Sequence, residues 1–203
     1  NNYAEVMAGS GNDTITAGSG INEVYGFGGD DNISTGAGDD IINGGSGNDT
    51  INGGDGNDSL SGGAGTDFIN AGNGNDTINL EADGTWNTPF TLHEAVNINS
   101  SNIIYYKVKI NGKNKFEDVI QGGNNTDTIN LTESSDAFFL HDTYANFHSS
   151  LSLSNDTFGN QNTDRIVSVE TINGGDGDDL IDLTSPNTQL SDSMILNGGA
   201  GND

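Results

Sequence analysis

Cysteine is absent, proline occurs twice and tryptophan once, and only five of the 203 residues are basic against thirty acidic ones. Without cysteine there is no disulfide framework, and no redox compartment can be inferred from one. The shortage of basic residues leaves a formal net charge of −25. That charge excludes nucleic acid and anionic membrane surfaces as partners, because both repel such a chain. No apolar run approaches the ~20 residues that cross a bilayer as a helix, so membrane insertion is not expected. Nothing at the N-terminus resembles a signal peptide.

Glycine, by contrast, is abundant, with 31 residues. It shows no three-residue period, which excludes collagen and favours a turn-dense repeat. From residue 8 to residue 79 a nine-residue unit recurs eight times without insertion: AGSGNDTIT, AGSGINEVY, GFGGDDNIS, TGAGDDIIN, GGSGNDTIN, GGDGNDSLS, GGAGTDFIN and AGNGNDTIN. The fourth position is always Gly, which suits a backbone conformation closed to residues with a Cβ. The sixth is Asp13, Asp31, Asp40, Asp49, Asp58, Asp67 and Asp76 in seven units. The eighth is always Ile, Val or Leu, flanked by mostly polar residues, which is the alternation of a half-buried strand. Each unit therefore reads as a six-residue turn followed by a three-residue strand.

One aliphatic side chain per nine residues returns far less free energy than ordering nine backbones costs. The first basic residue is Lys107, so the carboxylates before it have no cation of the chain's own to relieve their repulsion. A hard divalent cation supplies the missing cohesion, since turn carbonyls and Asp carboxylates are the oxygen ligands calcium prefers, and metal binding is then folding free energy. If successive turns fall on alternate edges of a flattened coil, turns on one edge lie two units apart and strands stack at about 4.7–4.9 Å. This spacing sorts the carboxylates into two columns, Asp13, Asp31, Asp49 and Asp67 on one edge and Asp40, Asp58 and Asp76 on the other. It also sets Ile15, Ile33, Ile51 and Ile69 against Val24, Ile42, Leu60 and Ile78.

These units resemble the calcium-binding nonapeptide of repeats-in-toxin (RTX) proteins. The resemblance implies an all-β, right-handed parallel β-roll that folds around multiple Ca2+ ions, with irregular β-rich insertions in the C-terminal half. Two departures stand out. Asn22 replaces the sixth-position Asp, so the nearest ion is expected to be weak or missing, and Phe27 replaces the second-position Gly.

Residues 1–79 are read as the array and 80–203 as a module built on interrupted repeats. After Asn79 the period breaks. Residues 85–95 read as a loop with one helical turn from Thr91, and His93-Glu94 lacks the second His of a metalloprotease helix. IIYYKVKI, Asn111-Gly112 and KNKFEDVI read as a hairpin, carrying Lys107, Lys109, Lys113 and Lys115, which offset nearby acidic turns or form a cationic lip. A single unit returns as GGNNTDTIN, with Asn125 in the glycine position and Asp127 in the ligand position. Phe138, Phe139, Leu140, Tyr144 and Phe147 then suggest an ordinary hydrophobic core. His141, Asp142 and His148 match no nucleophile motif, so catalysis is not expected. GGDGDDLID (Asp179) and GGAGND (Asp203) resume the repeat, and the break-off within a unit reads as a monomeric segment of a larger chain.

KFEDVIQGGNNTDTINL, DAFFLHD and ETINGGDGDDLIDLTS resemble a module of very large RTX adhesins of Gram-negative bacteria. That resemblance implies type I secretion, folding around calcium at the cell surface, and a surface peptide or glycan as ligand, with Lys107, Lys109, Asp127, Asp142 and Tyr144 as candidates for the binding face. Two other readings stay open: a calcium-stiffened spacer, and an accessory domain of a secreted hydrolase or lyase.

Overall fold

A computed structural model describes residues 3–85, 91–98, 102–109, 112–116, 118–139, 166–182 and 194–203. Its strands, in chain order, are β1 (Tyr3–Gly9), β2 (Thr14–Thr16), β3 (Ile21–Gly28), β4 (Asn32–Ala37), β5 (Ile41–Ser46), β6 (Thr50–Asp55), β7 (Ser59–Ala64), β8 (Phe68–Asn73), β9 (Thr77–Asn79) and β10 (Thr91–Ile98). They continue with β11 (Asn102–Lys109), β12 (Asn114–Lys115), β13 (Val119–Asn124), β14 (Thr128–Asn130), β15 (Asp136–Phe139), β16 (Ile166–Val167), β17 (Thr171–Asn173), β18 (Leu180–Asp182) and β19 (Ile195–Asn197). There is no helix among the described residues.

Consecutive strands of the array alternate between two parallel sheets. One has the order β1-β3-β5-β7-β9-β14-β17-β19 and the other β2-β4-β6-β8-β13-β16. This is the topology of a parallel β-roll. Within each sheet equivalent residues stand opposite one another: Val24 on Ile42, Ile42 on Leu60 and Leu60 on Ile78 in the first, Ile15 on Ile33, Ile33 on Ile51 and Ile51 on Ile69 in the second. These two aliphatic rows face inward and form the core, with Ile33, Ile51, Leu60, Ile69 and Ile78 fully buried.

The roll does not stop at Asn79. Ile78 is followed in its row by Ile129, Ile172 and Leu196, and Ile69 by Ile120 and Ile166. The offset between stacked coils is 18 residues in the array and becomes 51, then 43, then 24. The described strands that follow each longer offset stand in register with the coil before it. Position nine supports the return through an asparagine ladder, in which Asn130 donates to Asn79 at 2.9 Å, Asn173 to Asn130 at 2.7 Å and Asn197 to Asn173 at 2.7 Å.

Three expectations are corrected. Array strands run to six residues, as in Ile41–Ser46, because the ladder continues through the first three positions of the next unit (Gly45 on Gly63, Ser46 on Ala64). The second-position glycine bends the strand there in the left-handed region, with φ 111° at Gly45. Residues 91–98 form a strand, with no helical turn, and β10 pairs antiparallel with β11. Asn111-Gly112 therefore does not close the hairpin. KNKFEDVI instead rejoins the roll, because Phe116 and Ile120 enter the core and β12 and β13 find parallel partners in β15 and β8. Phe138 joins that core, its ring 6.2 Å from that of Phe116, whereas Leu140, Tyr144 and Phe147 lie outside the described residues.

Candidate metal centres

The acidic residues of the turns stack into hydrogen-bonded ladders. Along one, the backbone N–H of Asp13 donates to Oδ1 of Asp31 at 2.8 Å, Asp31 to Asp49 at 2.7 Å, Asp49 to Asp67 at 2.7 Å and Asp67 to Asp118 at 3.0 Å. Along a second, Asn22 donates to Asp40 at 2.7 Å, Asp40 to Asp58 at 2.8 Å, Asp58 to Asp76 at 2.8 Å, Asp76 to Asp127 at 3.0 Å and Asp127 to Glu170 at 2.9 Å. A third links Asp136 to Asp179 at 2.8 Å and Asp179 to Asp203 at 3.3 Å. The array carboxylates thus stand in the two columns that the spacing predicts.

Each ladder fixes one carboxylate oxygen and leaves the other turned inward. Oδ2 of Asp31, Asp40, Asp49, Asp58, Asp67, Asp76, Asp127 and Asp179 is buried with no hydrogen-bond partner. A buried anionic oxygen without a donor is costly, and its recurrence coil after coil is a feature of the repeat. Where the first position is glycine it makes room for it, while Thr35 and Ala71 hold that position beside Asp40 and Asp76. A Cβ added at Gly26 would collide with Asp31 Oδ2 and the Gly44 carbonyl, and one at Gly44 with Asp49 Oδ2 and the Gly62 carbonyl. The same crowding occurs at Gly53 against Asp58 and Ala71, and at Gly174 against Asp179 and Gly198. Carboxylate and carbonyl oxygens from successive coils therefore converge over a bare backbone.

Burial raises the pKa values accordingly. Desolvation pushes Asp58 and Asp67 up to about 7 and Asp127 up to about 6, against the opposing pull of the backbone N–H each accepts. Asp49, Asp76 and Asp179 are raised for the same reason. Among the described residues no three acidic or imidazole side chains converge on one point. The donor set is mixed, one carboxylate per turn with backbone carbonyls, and all oxygen. That set suits a hard cation such as calcium and is unsuited to zinc or copper.

Asn22 breaks the pattern of the turns. Its Nδ2 donates to the carbonyls of Gly20 at 2.7 Å and Gly18 at 3.1 Å and to Asp40 Oδ1 at 2.9 Å. Carbonyls of positions two and four and a carboxylate from the next coil thus face one point, which the amide nitrogen fills. In the following coil Thr35, buried at the first position, donates its hydroxyl to the Gly53 carbonyl at 2.7 Å. At Asp136 the protein supplies the donors itself, Thr132 N–H at 2.8 Å to one oxygen and its hydroxyl at 2.9 Å to the other.

Sequence reasoning missed Asp118, Glu170 and Asp136. The signal that finds them is the step acid-x-apolar, kept in Asp118-Val119-Ile120, Glu170-Thr171-Ile172 and Asp136-Ala137-Phe138 although the glycine turn before each is lost. Of the residues assigned to a ligand-binding face, Lys107 stands opposite His93 and Lys109 opposite Thr91 in the hairpin register. Asp127 is fully buried within the second ladder, which removes it from any surface a macromolecular ligand could reach. Asp142 and Tyr144 lie outside the described residues. Lys113 is buried, with its charge acting on Asp178 and Asp179.

The family described as RTX calcium-binding nonapeptide repeat (HemolysinCabind) matches in four copies, over residues 7–42, 43–78, 114–137 and 169–184. These segments make up more than half of the sequence, and the chain belongs to that family. It is a calcium-binding repeat module of the β-roll class. No curated protein and no solved structure matches the chain.

Proposed function

We propose that calcium ions occupy the ladders between successive turns, held by Asp13, Asp31, Asp40, Asp49, Asp58, Asp67, Asp76, Asp127, Asp179 and Asp203 with second- and fourth-position carbonyls, and that the chain is a calcium-stiffened module of a secreted protein. The observation that carries this reading is the buried, partnerless Oδ2 atoms, one in each of eight turns. A divalent cation answers the desolvation and the mutual repulsion of these carboxylates together. Sites built from one carboxylate per turn and neutral carbonyls fill where calcium is plentiful, which supports a working environment outside the cell.

Within that reading, residues 1–79 act as the stiff element. The chain from residue 80 onward, which leaves the coil and returns to it, is the part that adheres to a surface peptide or glycan. The likeness of its segments to RTX adhesins supports a role at a bacterial surface after type I secretion. Screening the calcium-loaded chain on peptide and glycan arrays, with and without chelator, tests it. Saturable binding lost in chelator supports adhesion. A total absence of binding, with calcium-dependent folding intact, leaves the module as a spacer. The continuity of one sheet from β1 to β19 favours that second reading.

A further inference from the structure

The outer face of the first sheet changes character at its N-terminal end. On β7 and β9 it carries Ser59, Ser61, Thr77 and Asn79, whereas on β1, β3 and β5 it carries Tyr3, Met7, Ile21, Phe27 and Ile41, each between 47% and 61% exposed. These five make up most of the large exposed hydrophobics among the described residues. They are contiguous by register, with Tyr3 opposite Ile21, Met7 opposite Tyr25, and Glu23 between Glu5 and Ile41. A cluster of this kind on a polar protein marks a place where something docks.

Phe27 strengthens the point. It holds φ at 73° in a position that is glycine in the neighbouring coils, where Gly36, Gly45, Gly54, Gly63 and Gly72 take the left-handed values. A bulky residue there is strained. Its ring nevertheless sits exposed, 6.1 Å from that of Tyr25, so the strain is not offset by burial in the core.

The charge on this face selects the partner. Glu5 and Glu23 are direct neighbours across the β1–β3 ladder, with no basic residue earlier than Lys107. Tyr3 and Tyr25 both donate their hydroxyls to Glu23. A phenol that donates to a carboxylate becomes more electron-rich, so its ring face draws a cation more strongly. A second copy of this chain, equally acidic, is repelled from the patch.

We propose that the β1–β3–β5 face is a docking surface for a cationic peptide segment, whose arginine or lysine side chains lie over Tyr3, Tyr25 and Phe27 while their charges meet Glu5 and Glu23. The proposal stands apart from the calcium ladders, which line the turns, and from the adhesive role given to residues 80–203.

The test is fluorescence anisotropy of the 203-residue chain in calcium buffer with a labelled peptide of alternating arginine and leucine. Phe27→Gly combined with Tyr25→Thr leaves net charge unchanged and removes the left-handed strain, so the fold is kept. This double variant should weaken binding about tenfold or more. Glu5→Gln should weaken it too, whereas Glu133→Gln, equal in charge but elsewhere on the surface, should leave it within about twofold. Three results would overturn the proposal: undiminished binding by the double variant, equal loss with Glu133→Gln, which means general attraction to an acidic protein, or equal binding of a glutamine-leucine peptide, which means that the face takes an uncharged partner.

Discussion

The side-chain amide of Asn22 donates to Asp40 Oδ1 at 2.9 Å while its second and third contacts reach the carbonyls of Gly20 and Gly18. One neutral nitrogen thus stands where the other turns present only oxygens. Asn22→Asp replaces this donor with an acceptor and restores the repeat. Native mass spectrometry should count one additional calcium ion in the variant, and its thermal midpoint should rise in calcium and fall in chelator. An unchanged ion count would show that the amide is not filling a cation's place.

Asp49→Asn is the converse change. It keeps an acceptor for the Asp31 N–H and removes the buried charge. Stability in calcium should fall and stability in chelator should rise. Asp49→Ala removes the acceptor as well and leaves the Asp31 N–H unsatisfied, which costs about 1–3 kcal/mol more. Chemical denaturation in the two buffers separates the variants.

The array was legible in the sequence because cation ladders and aliphatic rows both follow one period, so Asp31, Asp49 and Asp67 could be stacked by counting. The later coils were not, because their offsets are set by how much chain leaves the roll, and nothing local records that number. Asn111-Gly112 illustrates the failure. Gly112 takes φ 85°, yet the strands after it, β12 and β13, are claimed by β15 and β8. Burial of Phe116 and Ile120 in the roll outweighs a solvated hairpin. Asp136 had the right spacing to its apolar neighbour but lies in LTESSD, where Thr132 does the work of glycine and cation at once.

A methyl group in the cradle has a defined effect. Gly44→Ala places a Cβ against Asp49 Oδ2 and the Gly62 carbonyl, while the backbone at Gly44 itself is not left-handed. The substitution should lower calcium affinity at one site without disturbing the neighbouring turns, read as the loss of one ion from the stoichiometry by calorimetry. Ile51→Ala, a fully buried core position, should instead cost about 2–5 kcal/mol with the ion count unchanged.

The raised pKa values set the pH dependence of the metal-free chain. Asp58 and Asp67 are raised to about 7 and Asp127 to about 6 in the fold, above the ordinary carboxylate range near 4. A raised pKa means that the fold prefers the proton, so its contribution to stability is fully present below the unfolded pKa and is lost as pH rises through the folded one. In chelator the roll should be most stable near pH 4 and lose stability up to about pH 7. In calcium the trend should reverse over the same window, since proton and ion compete for Oδ2. Circular dichroism melts from pH 4 to pH 8 in both buffers check the two signs.

The decisive measurement is far-UV circular dichroism of the purified chain at neutral pH and low ionic strength while calcium is withdrawn with EDTA and then restored. Cohesion supplied by cations requires the β signal to collapse cooperatively on withdrawal and to return in full on restoration. A cooperative, β-rich fold that persists after complete removal of calcium would contradict it.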